Sequence, residues 1–163
     1  MIIRPAEARD AEAIAAIYNH AVLHTTATAQ EATETVAERM AWLEAHARDC
    51  YPVLVAEAAG AVAAWGSLSP FLPRSGYRFT AETSVYVHPD WQGQGLGRGL
   101  LGALVQAGED GGFHALVALI DGGNQASLGL HAAFGFTQAA HLPQVYSKFE
   151  RWLDLVIMER LLL

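Results

Sequence analysis

Two features of the 163-residue chain have residue types and spacing suited to chemistry. The first is Gln92-Gly93-Gln94-Gly95-Leu96-Gly97-Arg98-Gly99, which follows an alternating segment at 80–87 and opens a helical pattern, Leu96, Leu100, Leu104. Glycines let a backbone approach a ligand closely, and a helix start offers unpaired N–H groups and a dipole that attract an anion. A phosphate or pyrophosphate suits such a turn, with Arg98 adding a cation. The second feature is Glu82, which shares one face of 80–87 with Ser84 and Tyr86, while Val85 and Val87 point to the other. A carboxylate part-way along a buried strand is costly unless it is functional or paired, and Arg74 and Arg78 are the nearby partners for pairing.

The glycine turn admits several readings. A P-loop needs a lysine before Ser/Thr, and the turn has none. A dinucleotide fingerprint matches at Gly97-Arg98-Gly99-Leu100-Leu101-Gly102, with Asp121 about twenty residues on. That fingerprint starts inside the expected helix, however, and too little chain follows to finish a doubly wound sheet. The remaining reading is Gln92-x-x-Gly95-x-Gly97 at the strand-to-helix junction. Other signals are weaker. His20 and His24 have the i, i+4 spacing of a metal pair but lack a third ligand, so no metal site is assigned. Cys50 reads as a small buried residue, and Trp42, Trp65 and Trp152 read as core.

These residues need a scaffold, and the periodicities supply one. Residues 2–4 read as a strand ended by Pro5, and Asp10 as the cap of a helix carrying Ile14, Ile17, Ala21 and Val22. Residues 25–34 form a threonine-rich loop; Thr35 and Glu38 have capping-box spacing for a second helix to about Arg48. Strands follow at 53–58, 61–69 and 80–87, then a helix at 95–107, a strand at 115–120, a short helix at 125–134 and strands near 138–145 and 153–161. This order implies an α/β (α+β) mixed sheet with helices on its faces, in a single domain spanning 1–163.

Composition narrows the partners. Ten Lys/Arg against 17 Asp/Glu leave a formal net charge of −7, which argues against nucleic acid or an anionic membrane as partner. The longest apolar runs, 61–65 and 153–158, fall far short of the ~20 residues that span a bilayer. One cysteine and a start without the signature of a signal peptide suggest a reducing, cytoplasmic setting.

The glycine segment resembles the acetyl-CoA pyrophosphate loop of the GCN5-related N-acetyltransferases (GNAT). Tyr18-Asn19-His20-Ala21-Val22 before Thr25-Thr26, Thr80-Ala81-Glu82-x-Ser84-Val85-Tyr86-Val87, Asn124-x-x-Ser127-x-x-Leu130-His131 and Gly135-Phe136 extend the likeness over nearly the whole chain. Together they are similar to the phosphinothricin (methionine sulfoximine/sulfone) N-acetyltransferase branch. The resemblance implies a mostly antiparallel sheet with a splayed strand pair, acetyl-CoA as co-substrate, a small amino-acid-like amine as substrate, and a homodimer.

It also implies roles. Acetyl transfer to an amine needs a base for the ammonium proton and donors for the developing oxyanion. Glu82 is the implied base, acting directly or through a water. Val85, Tyr86 and Val87 meet the cofactor, the latter through backbone N–H groups, and Gln92 through Gly99 hold its pyrophosphate. Asn124 and Ser127 match residues contacting the pantetheine arm, although Asn124 suits a helix cap equally well. His131 stands where many relatives carry a tyrosine proposed to protonate the leaving thiolate; an imidazole there serves as an acid or simply as a hydrogen-bond partner. Thr25 and Thr26 cover the substrate, and Arg74, Tyr77 and Arg78 precede the base, where one arginine could grip a carboxylate or stay solvated.

Overall fold

Apolar residues at helical spacing bury one stripe of α1 (Ala11–His24), with Ile14, Ile17, Tyr18 and Val22 packed on Val53, Val55 and Trp65 of the sheet. The computed structural model describes every residue, Met1–Leu163. Helix α2 (Val36–Arg48) lies on the same face. Its start has the expected reciprocal cap: Thr35 accepts from the Glu38 N–H at 3.1 Å, and Glu38 accepts from the Thr35 N–H at 2.8 Å.

Asp10 does not cap α1 as expected. Its carboxylate takes two hydrogen bonds from Arg4, at 2.8 and 2.9 Å, and one from the Glu7 N–H at 2.7 Å. It thereby closes the 3₁₀ turn before the helix, and the Arg4 guanidinium holds this buried carboxyl below the usual carboxylate range. A fixed bidentate arginine is the stronger partner for a buried aspartate.

The strands are β1 (Ile2–Pro5), β2 (Val53–Ala58), β3 (Ala61–Pro70), β4 (Thr80–Val87), β5 (Ala115–Asp121), β6 (Thr137–Lys148) and β7 (Arg151–Leu161). They form one seven-stranded sheet in the order β1-β2-β3-β4-β5-β7-β6. Every pairing is antiparallel except β4 with β5. That parallel pairing covers only Thr80–Ala115, Ala81–Leu116 and Glu82–Val117, after which the two strands part. The mixed α/β class with a splayed pair is therefore the observed architecture.

Helix α3 (Leu96–Asp110) covers the opposite face. Leu101, Leu104 and Val105 join Leu68, Leu116, Ala118, Phe136 and Met158, and Leu96 and Leu100 join Ala56 and Ala64. The short α4 (Gln125–Ala133) follows β5. Strands β6 and β7 run longer than their patterns suggest. Register shifts interrupt β6 around Ala140 and before Tyr146, and the hairpin turns on Phe149 and Glu150, both at positive φ.

At Gly66 the sheet and α3 touch: a Cβ there would lie 2.9 Å from Leu104 Cδ1 and 2.9 Å from the Ser84 carbonyl oxygen. Gly66→Ala is expected to destabilise the chain by about 1–3 kcal/mol through overpacking. Gly129→Ala, on the exposed side of α4 with nothing within 4 Å of its Cβ position, is expected to stabilise it by about 0.4–1 kcal/mol. Urea unfolding of the two variants checks the opposite signs.

Candidate active site

The site forms where β4 leaves β5. The His88 N–H bonds the Ala63 carbonyl at 2.8 Å, and this sets the phase of the β3–β4 ladder. By alternation, Val85 and Val87 turn their backbone groups away from β3 and toward the gap. Beyond the strand, His88 Nδ1 accepts from the Asp90 N–H at 3.2 Å, and the Gln94 side chain donates to the Asp90 carbonyl at 3.3 Å. Gln92 Nε2 reaches the Val87 carbonyl at 3.5 Å.

Gly93 and Gly95, at φ of 74° and 83°, take left-handed conformations that a side chain would strain, and Gly95 caps α3. The backbone N–H groups from Gly93 through Arg98 find no acceptor within the protein. The Gly99 N–H is spent on the Gly95 carbonyl at 3.0 Å, and the place of a Gly99 Cβ is taken by Met1 and Ile3. Donors for an anion thus end at Arg98, whose guanidinium lies 5.3 Å from the centre of the Phe134 ring. Gly97 brings α3 close to Val85, Val87 and Leu130, at the mouth of the gap. The dinucleotide fingerprint 97–102 lies wholly within α3 and forms no turn.

Glu82 is the last β4 residue paired with β5. Neither arginine meets it. Arg78 donates to the Ser75 carbonyl at 3.0 Å and lies over the Phe79 ring, and Arg74 is exposed with no protein partner. Burial with no positive neighbour raises the Glu82 carboxyl above the usual carboxylate range. Tyr77 packs edge-on against Phe71 beside these arginines. Tyr86 stacks on Trp65 at 5.0 Å and meets Tyr18 edge-on, and burial pushes its hydroxyl well above the ordinary value.

The loop after α1 is tied down at several points. Thr25 Oγ1 donates to the Ala21 carbonyl, closing the helix. The Thr26 hydroxyl donates to Asp121, and Tyr146 donates to the Thr26 carbonyl at 3.2 Å. Burial, with Asp121 close by, pushes the Tyr146 hydroxyl up to about 12. The buried Lys148 donates to the Thr28 carbonyl at 2.8 Å. Asn19 bonds both the N–H and the carbonyl of Glu34, each at 2.8 Å, and closes the loop's far end. Arg39 is buried among the rings of Tyr18, Trp42 and Trp65 and pairs with Glu34.

Of these, Lys148 and Arg39 carry no signal in the sequence as site residues, and Asp121 enters there only through the dinucleotide fingerprint. Asp121 and Lys148 act through partners far away in the chain, Thr26 and Thr28, and Arg39 through the rings of Tyr18 and Trp65 and the nearby Glu34.

On α4, Asn124 Oδ1 accepts from the Ser127 N–H at 3.1 Å, so Asn124 caps the helix, and its amide nitrogen remains for a ligand. His131 is buried edge-on to Phe136, with Nδ1 2.8 Å from the Ser127 carbonyl. A carbonyl only accepts, so Nδ1 carries the hydrogen and Nε2 is the free acceptor. Burial lowers the imidazole's proton affinity and keeps the ring neutral near pH 7.

Residues 14–136 match the acetyltransferase (GNAT) family. The chain is 50% identical over 159 residues to the L-amino acid N-acyltransferase MnaT of Escherichia coli K12, covering 98% of this chain and 92% of that protein. It is 48% identical over 159 residues to the L-methionine sulfoximine/L-methionine sulfone acetyltransferase of Salmonella typhimurium LT2, with 98% and 93% covered. The structure of yncA from Salmonella typhimurium, solved with its cofactor acetyl-CoA, superposes with a TM-score of 0.97 at 47% identity, covering 99% of this chain and 93% of that one. The chain belongs to the GNAT acetyltransferase family. It is an enzyme, an N-acetyltransferase.

The two buried histidines set an acid limit on stability. His46 and His131 both have their folded proton affinity lowered by burial from the ordinary 6.5. Between the folded and unfolded values the unfolded chain binds more protons, so this stability is full above about pH 6.5 and drains as pH falls. Urea midpoints measured from pH 7.5 to 5 should decline, and His131→Gln should flatten part of the slope. An unchanged slope in that variant would sink the assignment.

Proposed function

We propose that this enzyme transfers the acetyl group of acetyl-CoA to the α-amine of a small amino-acid-like substrate of the phosphinothricin, methionine sulfoximine or methionine sulfone type. The observation that carries the reading is the unpaired, half-buried Glu82 at the point where β4 and β5 separate. A carboxyl raised by burial takes a proton from an ammonium near neutral pH more readily than an exposed one. Acetyl-CoA supplies the reactive thioester. The free N–H groups of Gly93 through Arg98 are oriented to receive its pyrophosphate, with Gln92 bracing the loop and Arg98 adding charge. The backbone groups of Val85 and Val87 line the slot beside it, with Tyr86 between them turned to β3, and the Val87 N–H polarises the carbonyl. Asn124 and Ser127 border the slot from α4.

His131 is the second catalytic candidate. Its free Nε2 is an acceptor, so the geometry favours a hydrogen bond to cofactor or substrate over donation of a proton to the thiolate. Transfer is direct in this reading: Cys50 lies exposed past the end of α2, and the unpaired Glu82, not the Ser69 hydroxyl bonded to His46, is taken as the group that meets the amine. Thr25 and Thr26 form the cover over the amine, held by Asp121 and Tyr146. Arg74, free of protein partners, receives the substrate carboxylate; Tyr77 and Arg78 shape the same loop.

The edge strand β6 is exposed over most of its length, and Leu142, Val145 and Trp152 add exposed apolar surface on β6 and β7. This supports a homodimer through that edge. A soluble cytoplasmic enzyme acting on a small amine, and not on nucleic acid, fits the acidic chain with its lone thiol.

Thiol release with acetyl-CoA and each named amine tests the reading, and a broad amine panel without turnover refutes it. Glu82→Gln should lower kcat by on the order of 10²–10⁴. Arg74→Ala should raise KM about 10- to 100-fold for amines bearing a carboxylate, the scale of a charged hydrogen-bond pair, and leave amines without one unaffected. Equal losses for both kinds of amine would remove Arg74 from carboxylate recognition.

A further inference from the structure

The register of β3 on β4 sets Ser69 directly opposite Glu82, Ser67 opposite Ser84 and Trp65 opposite Tyr86. Directly opposed residues share a face, so Ser69 and Glu82 lie side by side under α1 and α2. On the last turn of α2, the buried His46 places Nε2 2.8 Å from Ser69 Oγ and Nδ1 3.0 Å from the Trp42 carbonyl. The carbonyl only accepts, so Nδ1 carries the hydrogen and Nε2 accepts from the Ser69 hydroxyl. Burial above all, with the charge of Arg39 in support, keeps the ring neutral. The hydrogen of Ser69 is thereby committed away from Glu82. Ser67 Oγ, at 3.5 Å, engages one lone pair of Ser69 at most, which leaves another free.

We propose that Ser69 and His46 are positioning residues for Glu82: His46 fixes the Ser69 hydroxyl as a pure acceptor, and that acceptor receives the hydrogen of the protonated Glu82 carboxyl, directly or through one water. The proposal rests on the reading of Glu82 as the base. The proton leaves the substrate ammonium, forms the O–H of Glu82, and is held in a hydrogen bond to Ser69 Oγ. The Ser69 hydrogen stays on its bond to His46, and Glu82 returns the proton to water after product leaves. An acceptor beside a carboxyl stabilises the neutral form and raises its proton affinity; a donor does the opposite.

The titratable groups packed round this pair are few. Arg39, Asp49 and Tyr51 adjoin His46, and Glu44 and Cys50 line the same apolar cavity of about 520 Å³ beside it. Tyr86 follows on the face of Glu82, with Tyr18 above it from α1. None of them hydrogen-bonds Glu82. The acceptor set by His46 stands directly opposite Glu82 in the β3–β4 register, and Ser69 itself makes no hydrogen bond to the carboxyl in this structure.

The test is a carbon-13 titration of the Glu82 carboxyl, which needs no turnover, beside the pH profile of kcat/KM. Ser69→Ala removes the acceptor, and His46→Phe frees the Ser69 hydrogen to turn toward the carboxylate. Both should move the Glu82 titration and the acid limb down by roughly half to one pH unit, the scale of one neutral hydrogen bond. Ser69→Thr and His46→Gln, which restore the hydroxyl and the acceptor, should bring the titration back to the wild-type position. A titration left in place or moved upward by Ser69→Ala overturns the proposal, as does a loss of thermal stability with no shift, which would make the contact a simple helix-to-sheet tie. Should Glu82→Gln keep the wild-type acid limb, the base reading fails instead, and the carboxyl titration still decides the role of Ser69.

Discussion

A sheet that must stay whole while opening in its middle is the constraint from which the rest of this structure follows. Strands β4 and β5 are bonded for only three residue pairs, and beyond Glu82 each relies on its other neighbour. β4 stays in register with β3 as far as Val87, and β5 stays in register with β7 as far as Asp121. The long antiparallel pairings on either side make the gap stable. Backbone groups facing it have no strand partner, which is costly unless a ligand or water supplies hydrogen bonds. The binding slot is thus made of backbone, and the identities of Val85 and Val87 matter less than their phase in the ladder.

The same constraint explains the electrostatics. A chain of net charge −7 can receive an anion at this turn because the donors are local: a run of free N–H groups over two left-handed glycines, at the start of a fifteen-residue helix. On the other face a carboxyl is kept half-buried with no cation. Arg39, a buried positive charge on the same face, is held instead by Glu34 and three aromatic rings. A salt bridge to Glu82 would have depressed its proton affinity and, under the proposed function, spoiled it as a base. Withholding the arginine is as much a part of the site as placing the carboxylate.

Much of this was readable from local pattern, because the decisive features are local. The capping box at Thr35 and Glu38, the glycine turn and the facing of Glu82 depend on residues within a few positions of each other. Features set by packing, strand register and unusual backbone were not readable. Asp10 suits a helix cap by spacing, yet Arg4 claims it because β1 brings the guanidinium alongside. The fingerprint at 97–102 has the right letters, but helix α3 has already begun at Leu96, so its glycines serve close packing against Met1, Ile3 and Phe134. The β6–β7 hairpin turns on Phe149 and Glu150 without a glycine, which hid both the turn and the full length of the strands. The pairing of Ser69 with Glu82 follows from a strand register, which no local pattern prints.

The two halves of the site are consequently built in different ways. The cofactor side depends on backbone geometry and a few glycines, and side-chain changes there act only by disturbing the chain's path. The amine side depends on side chains delivered by loops, and the loop after α1 is fixed to strands: Thr26 to Asp121 of β5, and Thr28 to Lys148 of β6. A buried lysine spent on one carbonyl is a high cost for a loop tie, since desolvation alone weakens its charge. Such a cost is reasonable only if the loop must hold one shape. Under the proposed function, selectivity among amines is set at the loops and at Arg74, and the proton chemistry beneath them, on the paired faces of β3 and β4. A change of substrate can then occur above an unchanged base.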